Sequence, residues 1–232
     1  MQPDSTTYTP QAIYDKFILH PMPSDKTDNY IISIPKQQLA QLPAAKFEGN
    51  IFVIDKPEHV DDAIAVLRQA EIIGFDTETR PTFKKGIINE VALIQLAIPG
   101  NCFLFRINRI GLLPQLTDIM QDPSCLKVGL SIHDDFHNLH RLADFIPQGF
   151  IDLQQYVKQF HIADNSLTRI HAILFGERVS KGQRLTNWEA ETLSPSQQDY
   201  ASLDAIACIR IYQTLAKGEF IPQKSPYIQP LP

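Results

Sequence analysis

Ile72-Ile73-Gly74-Phe75-Asp76-Thr77-Glu78 is an apolar run that ends in two carboxylates. Its length and its apolar content read as a buried strand over Glu71–Thr79. Side chains two apart on a strand point to the same face, so Asp76 and Glu78 project together from one side. A solvated strand end would explain one such pair, and the pair alone does not separate that reading from a functional one.

Working outward, Ile51–Ile54 is a short strand candidate, and Pro57–Ala70 is predicted helical with Val60, Ile64 and Leu67 on one stripe. Glu90–Ile98 and Cys102–Ile107 read as strands joined by the turn Pro99-Gly100-Asn101. A helix is predicted over Leu112–Gln121, stopped by Asp122-Pro123, followed by a strand at Leu126–Leu130. Then come a helix from Ile132 to Ala143, a short strand at Phe150–Leu153 and further helices. Three meandering strands followed by alternating helix and strand imply a mixed α/β sheet with helices on both faces, in the order of the ribonuclease H-like fold. Residues 1–48 are rich in proline and read as a partly irregular N-terminal appendage with short helices near Gln11–Leu19 and Lys36–Leu42. The main domain is expected over 49–218, and residues 219–232, with four prolines, as an irregular C-terminal tail.

The whole chain sets further bounds. Its 232 residues are 44% hydrophobic, enough for one sizeable core. No apolar run approaches the roughly 18–20 residues needed to span a bilayer, and Met1–Pro10 is polar, so a cytoplasmic protein without membrane contact is expected. Cys102, Cys125 and Cys208 lack metal-ligand spacing and read as reduced core thiols. The net charge of −5 does not announce a nucleic-acid binder. A carboxylate cluster is neutralised only when it holds cations, however, and an enzyme working on chain ends needs only a small footprint.

Two more carboxylates stand out. Ser194-Pro195-Ser196-Gln197 opens a long helix with a capping box and proline at its first position. At 3.6 residues per turn, Tyr200, Leu203, Asp204, Ala207, Ile211 and Leu215 share one stripe, which places Asp204 among apolar residues. A buried carboxylate needs a partner, an ion or a raised pKa. Neither Arg210 nor Lys217 lies beside it on that face, so the partner is an ion or a group from elsewhere in the fold. The second is in Ser131-Ile132-His133-Asp134-Asp135. If Ser131 caps the helix, Asp134 falls at its third position, where exposed N–H groups favour a carboxylate. Asp135 falls instead on the inward stripe with Ile132, Phe136 and Leu139, while His133 reads as a surface histidine. Four inward carboxylates from three segments would repel one another unless hard divalent cations with oxygen ligands held them. Two such ions would suit phosphodiester hydrolysis.

Asp76-Thr77-Glu78, Gly129-Leu130-Ser131-Ile132-His133-Asp134-Asp135 and Tyr200-Ala201-Ser202-Leu203-Asp204 together resemble the three motifs of the DEDDy 3′→5′ exonucleases, ribonuclease D and the Werner-syndrome-protein exonuclease domain among them. Val91-Ala92-Leu93-Ile94-Gln95-Leu96 and Gln183-Arg184-Leu185-Thr186-Asn187-Trp188 share the resemblance, which runs from about Gly49 to Gly218. The resemblance implies Asp76, Glu78, Asp135 and Asp204 as ligands of two Mg²⁺ or Mn²⁺ ions, and Tyr200 as the group that orients the attacking water. It also implies a nucleic-acid substrate, single-stranded or with a 3′ end, and release of nucleoside monophosphates. Thr79, Arg80, Lys84 and Lys85 either contact phosphates or are ordinary loop residues. Lys181, Arg184 and Trp188 either steady the terminal nucleotide or, for Trp188, plug the core. The alternatives are an exoribonuclease of the same chemistry, a catalytically silent nucleic-acid-binding module, and a phosphatase acting on a small molecule. Retention of all four carboxylates argues against the silent module.

Overall fold

The computed structural model describes residues 29–82, 84, 86 and 88–231. The expected helix near Gln11–Leu19 lies outside them. A six-stranded mixed sheet forms the centre: β2 (Asn50–Ile54), β5 (Asn101–Phe105), β4 (Val91–Ile98), β3 (Ile72–Thr79), β6 (Leu126–Gly129) and β7 (Phe150–Asp152), in that spatial order. β3, β4 and β5 form the expected antiparallel meander. β2 joins β5 in parallel, and β6 and β7 add in parallel beyond β3. Alternation along β3 sorts its side chains between two cores. Ile73 and Phe75 pack with α2 (Val60–Leu67), α4 (Pro114–Gln121) and α5 (Ile132–Leu139) on one side. Ile72, Leu93, Ala97 and Leu104 pack on the other, under α8 (Pro195–Ala216), with α7 (Leu167–Phe175) beside it.

Several boundaries differ from the sequence expectation for local reasons. The strand expected to reach Ile107 stops at Phe105, because Ile107–Ile110 turns into the short helix α3. The helix expected from Pro57 begins with a 3₁₀ turn at Pro57–His59, although Val60, Ile64 and Leu67 are buried as expected. The helix expected to run to Ala143 ends at Leu139. α8 does open with the expected capping box. It does not, however, bury a single stripe. Ala201, Ser202, Ala205, Cys208, Ile209 and Tyr212 are buried as well as the predicted positions, because sheet and helices enclose the helix on most of its sides.

The segment expected as an irregular tail contains β8 (Ile228–Pro230), which pairs antiparallel with β1 (Tyr30–Ile32). Ile32 and Ile34 are fully buried, and the Ile34 N–H donates to Asp164 Oδ2 at 2.9 Å. α1 (Lys36–Gln41) follows directly, and Leu39 packs against the same core. Proline spacing signals breaks in helix but not this pairing, which joins residues far apart in sequence. Among the described residues no helix is long and apolar enough to cross a membrane.

α8 comes close against β3 at Gly74, where an added Cβ would overlap the Ala205 carbonyl oxygen. Backbone cannot yield there as a flexible side chain would. Gly74→Ala is therefore expected to lower unfolding free energy by about 3 kcal/mol or more, at the top of the overpacking range. Urea denaturation of both proteins checks this, and an unchanged midpoint would show that the helix can shift freely.

Candidate active site

The carboxylates gather where β3 passes under α8. Asp76 and Glu78 leave β3 on the α8 side, opposite Gln95 and Leu93 of β4 respectively. α8 brings Asp204 over them, held close by the Gly74–Ala205 approach. One carboxylate oxygen from each of Asp76, Glu78 and Asp204 lies within 4.8 Å of the others. Glu78 is 7% exposed and Asp204 likewise 7%, so little water screens them.

Asp135 arrives from the other side of the sheet and is not part of that trio. A left-handed Ser131, φ 64°, turns the chain from β6 into α5. Thr77 points away from its two neighbours, and its hydroxyl donates to Asp135 Oδ1. Thr77 is thus a site residue that motif reading passes over, although the period of the strand already sets it on the opposite face. The two adjacent aspartates separate as expected: Asp135 is half-buried, whereas the Asp134 side chain is 84% exposed and accepts from Ser131 Oγ at 3.2 Å. Asp152, which caps α6 (Leu153–Tyr156) through the Gln154 N–H, also accepts from the Ser131 N–H and steadies that turn.

Burial and mutual repulsion govern the protons here. Burial, then the charges of Asp204, Asp135 and Glu78, holds Asp76 well above the usual carboxylate range. Burial, then Asp204 and Asp135, pushes Glu78 up to about 9, and Arg184 partly opposes this. Burial raises Asp204 to about 7 against a hydrogen bond from Tyr200 and the charge of Lys181. Burial likewise raises Asp135 to about 7, against the Thr77 hydrogen bond. Buried Asp204 Oδ1 has no hydrogen-bond partner among the described residues. A buried acceptor left unsatisfied beside two more carboxylates fits a divalent cation with oxygen ligands.

A hollow of about 320 Å³ opens beside the trio. Thr77, Tyr200, Lys181, Arg184 and the first turn of α7, Ser166 and Thr168, line it with the carboxylates. Asn165-Ser166 is a plain helix-start signal that sequence reading does not connect to the site. Lys181 and Arg184 thus line the same hollow as the carboxylates. Trp188 does not reach the hollow: it is fully buried in the core with Tyr200, ring centroids 6.0 Å apart, so it takes the core role and cannot stack on a base. Its loop is clipped in place, Arg106 donating to the Ala190 carbonyl, Arg109 to that of Glu191, and Arg80 pairing with Glu189 at 3.0 Å. Arg80 thus has a structural partner, Thr79 is half-buried at the irregular end of β3, and Lys84 is exposed away from the lining. Lys85 lies outside the described residues, and His133 is exposed as expected.

The raised carboxyl pKa values link pH to stability with a definite sign. Between the ordinary carboxylate range and about 7 for Asp135 and Asp204, or about 9 for Glu78, the folded chain holds more protons than the unfolded one. Stability of the metal-free protein is therefore expected to fall as pH rises through that window. Asp204→Asn should flatten the fall, and Mn²⁺ should oppose it by binding the folded state. Melting temperatures in EDTA and in Mn²⁺ from about pH 5 to about pH 9 test this. A metal-free melting temperature that rises with pH would contradict the electrostatics of the site.

The 3′-5′ exonuclease family matches residues 51–218, more than half of the chain. The mouse bifunctional 3′-5′ exonuclease/ATP-dependent helicase WRN is 30% identical over 184 residues, covering 75% of this chain and 13% of that protein. A 3′-5′ exonuclease of Arabidopsis thaliana is 28% identical over 189 residues, covering 75% of this chain and 66% of that one. This chain thus spans a small part of the first relative and about two thirds of the second. The Aedes aegypti Nibbler EXO domain has the same fold, with a TM-score of 0.67 at 21% identity over 78% of this chain and 97% of that one. So does Escherichia coli RNase D, with a TM-score of 0.64 at 22% identity over 73% of this chain and 46% of that one. By the match across β2 to α8, and by the acidic trio inside it, the chain belongs to the 3′-5′ exonuclease family.

Proposed function

We propose that this chain removes nucleotides from the 3′ end of DNA or RNA by hydrolysing the terminal phosphodiester, releasing nucleoside monophosphates. The observation that carries the reading is the buried trio Asp76, Glu78 and Asp204, with an unpartnered oxygen on Asp204, facing a hollow lined by Lys181 and Arg184. Two divalent ions, Mg²⁺ or Mn²⁺, would be held by these three and by Asp135. Such ions lower the pKa of a water and steady the charge that develops on the leaving oxygen.

The chain's own groups do the rest. Burial, then the charges of Asp204 and Glu78, holds the Tyr200 hydroxyl far above its ordinary pKa, so it keeps its proton. Tyr200 therefore orients the attacking water as a neutral hydroxyl rather than as a base. Thr77, by its bond to Asp135, fixes the rotamer of that carboxylate and so its aim across the end of β3. Lys181 and Arg184, exposed at the hollow, offer positive charge to the scissile phosphate. The phosphorus gains the water's hydroxyl, the P–O3′ bond breaks, and the 3′ oxygen of the shortened strand takes up a proton. Three buried free thiols fit the cytoplasmic location that we include in this reading.

Asp135→Asn should abolish hydrolysis of a labelled single-stranded oligonucleotide in Mn²⁺ while leaving the metal-free melting temperature nearly unchanged. Asp134→Asn should keep most activity, since an exposed carboxylate at a helix N-terminus contributes about 0.3–1 kcal/mol to stability and nothing to chemistry. An inactive Asp134→Asn beside an active Asp135→Asn would reverse the assignment.

For Tyr200→Phe the expected loss is roughly 10²-fold in kcat with KM little changed, because the hydroxyl that orients the attacking water is removed. Steady-state kinetics on one oligonucleotide decide it, and near-normal turnover would reduce Tyr200 to packing against Trp188.

A further inference from the structure

A second hollow, of about 380 Å³, adjoins the first and shares Ser166, Thr168 and Lys181 with it. Its other wall is α1, through Lys36, with Arg169 and Arg178 between. Among the described residues four cationic side chains line it and no carboxylate does, in a chain whose net charge is −5. Arg169 is paired with Asp164 at 3.0 Å. Arg178 spends only its Nε, on the Leu42 carbonyl at 3.1 Å, and Lys36 and Lys181 are exposed. The shared wall is the first turn of α7, the positive end of that helix.

Charge of one sign along a concavity that runs into an acidic site matches a polyanion whose end enters that site. Resting on the exonuclease reading for where the strand ends, we propose that this hollow holds the phosphodiester backbone of the nucleotides upstream of the scissile bond. The segment before β2 thereby supplies a substrate wall, through Lys36, in addition to its buried isoleucines. Recognition there is of phosphates, so it is indifferent to base sequence. It matters only for strands long enough to leave the active-site hollow.

The test uses Lys36→Glu and the double variant Lys36→Glu/Ala40→Glu, both confined to exposed positions of α1. Binding of a fluorescent twelve-nucleotide single strand is followed by anisotropy in EDTA across a salt series, so that nothing is cut. Catalytic efficiency is measured separately in Mn²⁺ on that strand and on a dinucleotide. The variants should bind the long strand roughly five- to tenfold more weakly, with the log–log salt slope shallower by about 0.7 for each phosphate no longer neutralised. Efficiency on the long strand should fall in parallel, and that on the dinucleotide should stay as in the unmodified protein. Unchanged binding and salt slope would overturn the proposal, as would equal losses on the dinucleotide and the long strand. Should the unmodified protein cut neither substrate, the exonuclease reading fails, while the binding series still decides whether the hollow holds a strand.

Discussion

The contact of α8 with β3 at Gly74 is the constraint on which the site depends. A residue without a Cβ lets the Ala205 carbonyl settle against the strand. That approach sets Asp204, one residue earlier on the helix, within 4.8 Å of Asp76 and Glu78. Small residues on the facing side of the helix, Ala201, Ser202 and Ala205, are fully buried and keep the two elements together along their length. A helix held further out would leave three separate carboxylates, each able to keep its own water.

Close packing has an electrostatic cost that the fold does not relieve by itself. Burial drives each carboxyl of the trio toward its protonated form, and for Asp76 and Glu78 the neighbouring carboxylates add to it, with Arg184 on Glu78 and Lys181 on Asp204 offsetting only part. Away from the site, by contrast, the buried carboxylate of Asp164 is answered directly, taking both the Ile34 N–H and Arg169. An acidic trio left unanswered in such a structure is stable only because surrounding packing over-determines it, and it is suited to hold a cation. The enclosing cores, the capping box of α8 and the clipped loop around Trp188 supply that packing.

Charge is distributed rather than absent. A net −5 reads as unfavourable for a polyanion, yet the acidic excess includes the buried site carboxylates. Four cations, by contrast, gather along one concavity that adjoins them. A sum over the chain cannot show this, because the cations come from α1, α7 and the loops that follow, which only the fold brings together.

The sequence by itself determined most elements of the central sheet and its helices, and which carboxylates face inward. Period-two alternation placed Asp76 and Glu78 on one face, helical projection separated Asp135 from Asp134, and local capping signals located the start of α8. These are short-range consequences of backbone geometry, and each is legible within a few residues. What only the tertiary structure decided involves groups distant in the chain. It placed Asp135 across the strand from the trio, on the Thr77 hydroxyl. It buried Trp188 beneath Tyr200 and took Arg80 into an ion pair with Glu189. It paired β1 with β8, two segments whose prolines suggested only irregular ends, because hydrogen bonding between strands about two hundred residues apart leaves no local periodic trace.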